Sequence, residues 1–182
     1  MKRALDVAVA LPALLVLSPL MIAVAIGVRV SLGRPVLFRH RRAGYRGRPF
    51  TLLKFRTMRD GAAGVSDEAR LTSFGRLLRA CSLDELPQLW NVLRGDMSIV
   101  GPRPERPVLI DEFKRHIPRY MLRHATKAGI TGWAQVNGWR GNTPLEKRIE
   151  YDLYYIENWS VRLDLKIMWL TLLRGFFHKH AY

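Results

Sequence analysis

At 182 residues the chain can bury one sizeable core but not two, so a single catalytic or binding unit is expected. Lys and Arg total 30 against 15 Asp and Glu, a formal net charge of +15, and a field of that sign selects an anionic partner: nucleic acid, acidic lipid or a phosphorylated small molecule. Cys81 is the only cysteine, which excludes a disulfide framework and a Cys-rich metal cluster and suits a reducing compartment.

Residues 7–28 carry no charged side chain, about the length a helix needs to cross the hydrocarbon core. A spanning helix fits that length. Basic residues on both flanks (Lys2 and Arg3 before, Arg29, Arg34 and Arg39 after) favour instead a re-entrant helix with both ends at one anionic leaflet. Pro19 lacks a backbone N–H and its ring crowds the preceding turn, which predicts a bend at Ser18-Pro19, where the Ser18 hydroxyl can serve a freed carbonyl. The run exceeds the h-region of a signal peptide, so residues 1–28 are read as a permanent membrane anchor and 29–182 as one catalytic unit on the cytoplasmic face.

Two alternating runs, near 36–39 and 50–55, flank Gly44-Tyr45-Arg46-Gly47 and predict a β-hairpin with a basic tip. Residues 61–67 read as a loop, and Leu71, Phe74, Leu77 and Leu78 predict a helix over 71–80. A second helix should begin near Ser82 to Glu85, bury Leu86, Leu89, Trp90 and Leu93, and stop at Gly95. Further helices are expected over 112–123 and 144–159, with an extended segment over 130–136. The tail over 161–177 mixes apolar and basic residues. It reads either as an interfacial amphipathic helix anchored by Trp159 and Trp169 or as a core helix, and the N-terminal anchor favours the membrane. The fold class expected is α+β, predominantly helical.

Asp84-Glu85 is the acidic pair of most chemical interest. A capping box with Ser82 explains it without chemistry. Its company argues otherwise: Lys54 and Arg56 at the end of the hairpin, Arg79 shortly before it and Arg103 after it make a mixed Lys and Arg set suited to a diphosphate. A carboxylate can attack a phosphoryl group to form an acyl phosphate when basic side chains and a divalent cation offset the repulsion, and hard oxygen donors select Mg2+. His40, His116, His124, His178 and His180 show no zinc spacing, and no Walker loop or dinucleotide fingerprint is present.

The chain resembles the monotopic phosphoglycosyltransferases, bacterial sugar transferases that begin exopolysaccharide and glycan assembly. The resemblance is carried by Ser18-Pro19, Lys54-Phe55-Arg56-Thr57-Met58, Ser82-Leu83-Asp84-Glu85-Leu86-Pro87-Gln88-Leu89, Gly95-Asp96-Met97-Ser98, Gly101-Pro102-Arg103-Pro104 and Gly129-Ile130-Thr131-Gly132-Trp133-Ala134-Gln135-Val136. It implies a ping-pong transfer of hexose 1-phosphate from a UDP-sugar to undecaprenyl phosphate, with UMP released and the sugar phosphate held on Asp84. By the same likeness Asp84 contacts Mg2+, Glu85 assists, and Lys54, Arg79 and Arg103 bind phosphates. Residues 137–143 and 151–159 look most like members using UDP-glucose, with UDP-galactose next, which makes Gln135, Asn137 and Arg140 candidates for the sugar or nucleotide. The partners implied are the two substrates and the lipids of the bacterial inner membrane, with a homodimer admitted and no nucleic acid. The chain resembles the minimal catalytic form. The competing expectations are a basic membrane-tethered binding module without chemistry and a phosphohydrolase using an aspartyl phosphate.

Overall fold

The computed structural model describes residues 1–61, 64–141 and 143–174. Asn142, the end of the predicted tail helix and His178 and His180 lie outside them. The chain opens with α1 (Lys2–Leu32), continues through the hairpin β1 (Leu37–Ala43) and β2 (Pro49–Phe55), and then α2 (Asp67–Arg70), α3 (Ser73–Ala80) and α4 (Gln88–Arg94). After β3 (Ser98–Val100) come α5 (Pro107–His116), β4 (Gly129–Thr131), α6 (Trp133–Val136), α7 (Leu145–Glu157) and α8 (Val161–Arg174). The predominantly helical α+β class is as expected.

α1 has 31 residues, about 46 Å at 1.5 Å per residue, and helical structure runs unbroken through Pro12 and Pro19. Pro19 leaves the Leu15 carbonyl without its usual partner, and the Ser18 hydroxyl donates to that oxygen at 2.7 Å. Both ends of α1 dock on the rest of the chain. Near its start, buried Asp6 accepts from the Ser98 hydroxyl at 2.8 Å and the Ile99 N–H at 3.0 Å, and the Lys2 ammonium pairs with buried Asp164 at 2.8 Å. Arg3 donates to the Val92 and Leu93 carbonyls, a cation placed on the otherwise unsatisfied end of α4. Near its end, Val24 and Val28 form a small core with Phe55 and Leu78. A Cβ at Gly27 would meet the Phe74 ring at 2.6 Å, so the ring packs this close because glycine leaves it room. Between the docked ends, Leu15, Val16, Ile22 and Ile26 stay exposed.

The hairpin pairs as predicted, from Leu37 opposite Phe55 to Ala43 opposite Pro49, with the turn at Tyr45–Gly47. The larger core gathers Leu52, Val92, Met97, Val100, Tyr155 and Ile167 around Ala10 of α1. Several expectations need correction. β3 and β4 form a parallel pair, Ser98 with Gly129 and Val100 with Thr131. The extended segment therefore ends at Thr131, and 133–136 is a helical turn whose Val136 N–H bonds the Gly132 carbonyl at 3.1 Å. The helix predicted over 112–123 is α5, which stops at His116, because Pro118 forces Ile117 into extended backbone and a 3-10 segment follows over Tyr120–Ala125. Leu71 precedes α3 and bridges to Met58, while Leu77 and Trp90 are about half exposed. α4 instead buries Gln88, Leu89, Asn91 and Val92 before ending at Gly95 in the left-handed region, φ 90°. α8 sends Asp164 and Ile167 into the core, fully buried, while Leu165, Trp169, Leu172 and Leu173 are exposed.

Candidate active site

Asp84 and Glu85 do not begin a helix. They lie in a separate 3-10 turn, Leu83–Glu85, entered through Ser82 in the left-handed region, and α4 starts only after Pro87. Ser82 makes no side-chain cap, so the capping box is not formed. The Glu85 carboxylate turns instead to two cations: its Oε1 accepts from Lys54 Nζ at 2.6 Å and from Arg103 Nη2 at 2.9 Å.

Each partner is delivered by a local device. β2 carries Lys54, and its edge is pinned by the buried Asn91 of α4, whose Oδ1 accepts from the Leu53 N–H at 3.0 Å and whose Nδ2 donates to the Thr51 carbonyl at 2.7 Å. Arg103 follows β3 in a turn that can approach β4 only because its glycines lack side chains. A Cβ at Gly101 would meet the Lys127 carbonyl at 2.4 Å, one at Gly129 the Gly101 nitrogen at 2.1 Å, and one at Gly132 the Gly101 carbonyl at 2.3 Å. The Arg103 carbonyl accepts from Arg123 Nη2 at 3.0 Å, and Arg123 is itself paired with Asp152 at 2.7 Å, both side chains only 4% exposed. Arg79 of α3 donates from Nε to the Thr57 hydroxyl at 3.1 Å.

The two carboxylates are electrostatically unlike. Asp84 is 5% exposed, and burial pushes its carboxyl up to about 6, with adjacent Glu85 adding to the rise while Lys54, Arg79 and Arg103 oppose it. Burial acts on Glu85 in the same direction, but the charges and hydrogen bonds of Arg103 and Lys54 outweigh it and hold Glu85 well below the usual carboxylate range. Lys54 Nζ is 3.9 Å from Asp84 Oδ2.

Glu85 and Arg103 open on a cavity of about 690 Å³. Its walls include Ala13, Leu17 and Leu20 of α1 and Leu172 of α8, together with Arg42, Arg106, Arg140 and Arg148. Asp84 lies between the lining residues Leu83 and Glu85. Of the candidates from sequence, Gln135 and Arg140 are cavity walls, and Leu17 and Leu20 bracket Ser18 and Pro19 there. Lys54, Arg56, Arg79, Asp84 and Asn137 are not among the walls, and Lys54 and Asp84 lie behind Glu85. The buried Arg56 guanidinium is held by the Arg34 carbonyl at 3.0 Å, the Met58 carbonyl at 3.1 Å and the Asp60 carboxylate at 2.7 Å, tying the hairpin to the end of α1. Asn137 Nδ2 donates to the Trp133 carbonyl at 2.7 Å, closing α6. Arg42, Arg106, Arg148, Asn91 and the Arg123–Asp152 pair escaped sequence reasoning.

The chain matches the bacterial sugar transferase family over residues 1–178. It is 47% identical to the UDP-glucose:undecaprenyl-phosphate glucose-1-phosphate transferase of Escherichia coli (strain K12), over 100% of this chain and 41% of the relative. It is 47% identical to the uncharacterized sugar transferase EpsL of Bacillus subtilis (strain 168), over 94% of this chain and 85% of that protein. The UDP-N-acetylgalactosamine-undecaprenyl-phosphate N-acetylgalactosaminephosphotransferase of Aeromonas hydrophila is 42% identical, over 94% of this chain and 42% of the relative. The chain thus spans about two fifths of the length of the first and last of these. The acidic pair clasped by basic residues beside a half-apolar cavity, joined to a match over nearly the whole chain, places this protein in the bacterial sugar transferase family.

Proposed function

We propose that the protein transfers a hexose 1-phosphate from a UDP-sugar, UDP-glucose first and UDP-galactose next, to undecaprenyl phosphate with release of UMP. The observation that carries this reading is the Asp84-Glu85 pair, gripped by Lys54 and Arg103, beside a cavity whose walls combine apolar residues of α1 and α8 with arginines. Such a cavity suits two phosphorylated substrates, one with a lipid chain.

The unlike carboxylates divide the labour. Glu85 is locked as an anion and one of its oxygens already serves two cations, so its role is to hold Lys54 and Arg103 in place. Asp84 is the more basic of the two and still mostly ionised at neutral pH, which makes it the better nucleophile. Its carboxylate oxygen attacks the β-phosphorus of the donor, the bond from that phosphorus to the bridging oxygen breaks, and UMP leaves with the electron pair. An oxygen of the acceptor phosphate then attacks the same phosphorus and the Asp84 carboxylate is restored, with no net proton transfer. Lys54, Arg79 and Arg103 offset the charge carried by the phosphates.

Mg2+ is the proposed cofactor. The described residues contain no group of three or more His, Cys, Asp or Glu able to hold a metal. Mg2+ sites of this chemistry take one or two carboxylates and complete their shell with substrate phosphate and water. Asp84 would supply one such carboxylate, a hard oxygen donor placed between the cavity-lining residues Leu83 and Glu85. Bound there, Mg2+ would lessen the repulsion between Asp84 and the donor diphosphate.

The place proposed for the protein is the inner face of the bacterial cytoplasmic membrane, a reading supported by α1, the one described helix long and apolar enough to cross a membrane. Asp6 and Val28, near opposite ends of α1, are both buried against the body that carries the site, which supports a re-entrant helix over a span. The test is UMP release by nanodisc-embedded protein with Mg2+ and undecaprenyl phosphate, offered UDP-glucose, UDP-galactose and UDP-N-acetylated sugars in turn. Multiple-turnover UMP release from one donor, dependent on lipid and Mg2+, is expected, with no more than one equivalent per protein when lipid is absent. Multiple turnover that persists without lipid would mark a hydrolase, and no release from any donor would leave a binding module.

A further inference from the structure

The arginines of the cavity fall into two groups. Arg103 is committed to Glu85. Arg106 and Arg148 are not committed to any acid: among the described residues neither has a carboxylate within ion-pair distance, although both line the cavity. The acids around them are already engaged. Glu105 lies 3.6 Å from Arg42, and Asp152 is paired with Arg123 at 2.7 Å, so that Arg148 reaches Asp152 only through its field. The Arg148 Nε is buried with no hydrogen-bond acceptor. A second sign of uncompensated charge is His40, held below its ordinary value first by burial and then by Arg42, Arg106 and Lys54. A buried Arg148 Nε with no acceptor is costly unless an anion from outside completes it, while Arg106 offers an uncommitted guanidinium at the same cavity.

We infer that Arg106 and Arg148 form a phosphate seat distinct from the Lys54–Glu85–Arg103 cluster, occupied first by the phosphate of the departing UMP and then by the phosphate of the lipid acceptor. This deepens the proposed transferase reading and rests on it. The sharing follows from displacement chemistry. Attack by Asp84 expels the UMP oxygen from the opposite side of the β-phosphorus. The acceptor must then expel Asp84, so its oxygen arrives where the UMP oxygen left. One set of cations therefore meets both anions in succession. The setting suits both: Arg106 and Arg148 come from the segment before α5 and from α7, while Leu17, Leu20 and Leu172 offer an apolar path from the same cavity for a lipid chain. Each phosphate presents a pair of oxygens that the planar guanidinium fork matches.

The test is direct binding to the full chain in nanodiscs, using UMP with and without undecaprenyl phosphate in the bilayer. For the wild type, undecaprenyl phosphate is expected to displace UMP competitively. Arg106→Gln and Arg148→Gln are each expected to weaken UMP and to raise the KM for undecaprenyl phosphate by about tenfold, the loss of one charge-assisted hydrogen bond. Arg→Lys at each position should recover part of both. Arg106 is exposed, so its variant keeps the proposal testable should Arg148→Gln fail to fold. If both variants bind UMP as tightly as wild type, or if UMP weakens while the lipid neither competes nor loses affinity, the shared seat is refuted and the transferase reading stands. If the wild type binds neither UMP nor lipid, the transferase reading itself falls, and the seat with it.

Discussion

Replacing Lys54 by Met removes the cation that does most to oppose the burial of Asp84. Their charged atoms are 3.9 Å apart, and both side chains are largely enclosed, Lys54 being 18% and Asp84 8% exposed. Coulomb's law at that distance with an effective dielectric of about 40, between the surface value and water, gives about 2 kcal/mol, or roughly 1.5 pKa units. The sign is upward: without the ammonium, the Asp84 carboxylate is less favoured and its carboxyl, already pushed up to about 6, moves to a value higher by roughly that amount. Because the ionised form is the nucleophile, turnover falls as pH drops through that value. The acid limb of kcat/KM for the UDP-sugar, followed as UMP release between pH 5 and 9, should therefore move upward by roughly 1–2 units. Raising the pH recovers this part of the loss but not the part owed to phosphate binding. An acid limb with an unchanged midpoint would refute the coupling between Lys54 and Asp84.

Three further outcomes follow from the same contacts. Asn91→Ala strips the β2 edge of two buried hydrogen bonds, and should cost roughly 2–4 kcal/mol in denaturant unfolding and lower activity through a displaced Lys54. Gly129→Ala drives a Cβ to 2.1 Å from the Gly101 nitrogen, and is expected to destabilise the protein by about 2–3 kcal/mol, seen as a lower Tm, while turnover falls as Arg103 shifts. Arg123→Met leaves Asp152 buried without its partner and should cost about 3–5 kcal/mol, whereas the double change Arg123→Met with Asp152→Leu should restore most of that stability but not the activity, since the Arg103 carbonyl stays unsupported.

What the sequence made legible was local. The hairpin could be read because its alternation and its Gly-Tyr-Arg-Gly turn lie within twenty residues, and α7 and α8 because apolar spacing repeats over several turns. The β3–β4 pair could not. Strands of three residues show no period, and their partners stand thirty residues apart. Trp90 was assigned to the core because helical spacing counts apolar residues alike, whereas the buried face of α4 spends two positions on Gln88 and Asn91, which bond rather than fill. At the site, the acidic pair and the cations Lys54, Arg79 and Arg103 were recognisable as a set. The capping alternative for Glu85 was settled only by where its carboxylate points, which spacing cannot encode. Arg56 shares its motif with Lys54 yet faces the end of α1, because β2 ends at Phe55 and Arg56 lies beyond the strand that would have kept it on the side of Lys54. The arginine wall is assembled from β1, the segment before α5, the turn after α6 and α7, so no local pattern announces it.

The central claim is that Asp84 carries the sugar phosphate covalently. The most direct measurement is intact-protein mass spectrometry, with peptide mapping, after incubation with the UDP-sugar and Mg2+ in the absence of lipid acceptor. A hexose-phosphate adduct on the peptide containing Asp84, formed with an equivalent of UMP, discharged by undecaprenyl phosphate and missing in Asp84→Asn, is the expected result. Full turnover by Asp84→Asn, or an adduct on another residue, would contradict it.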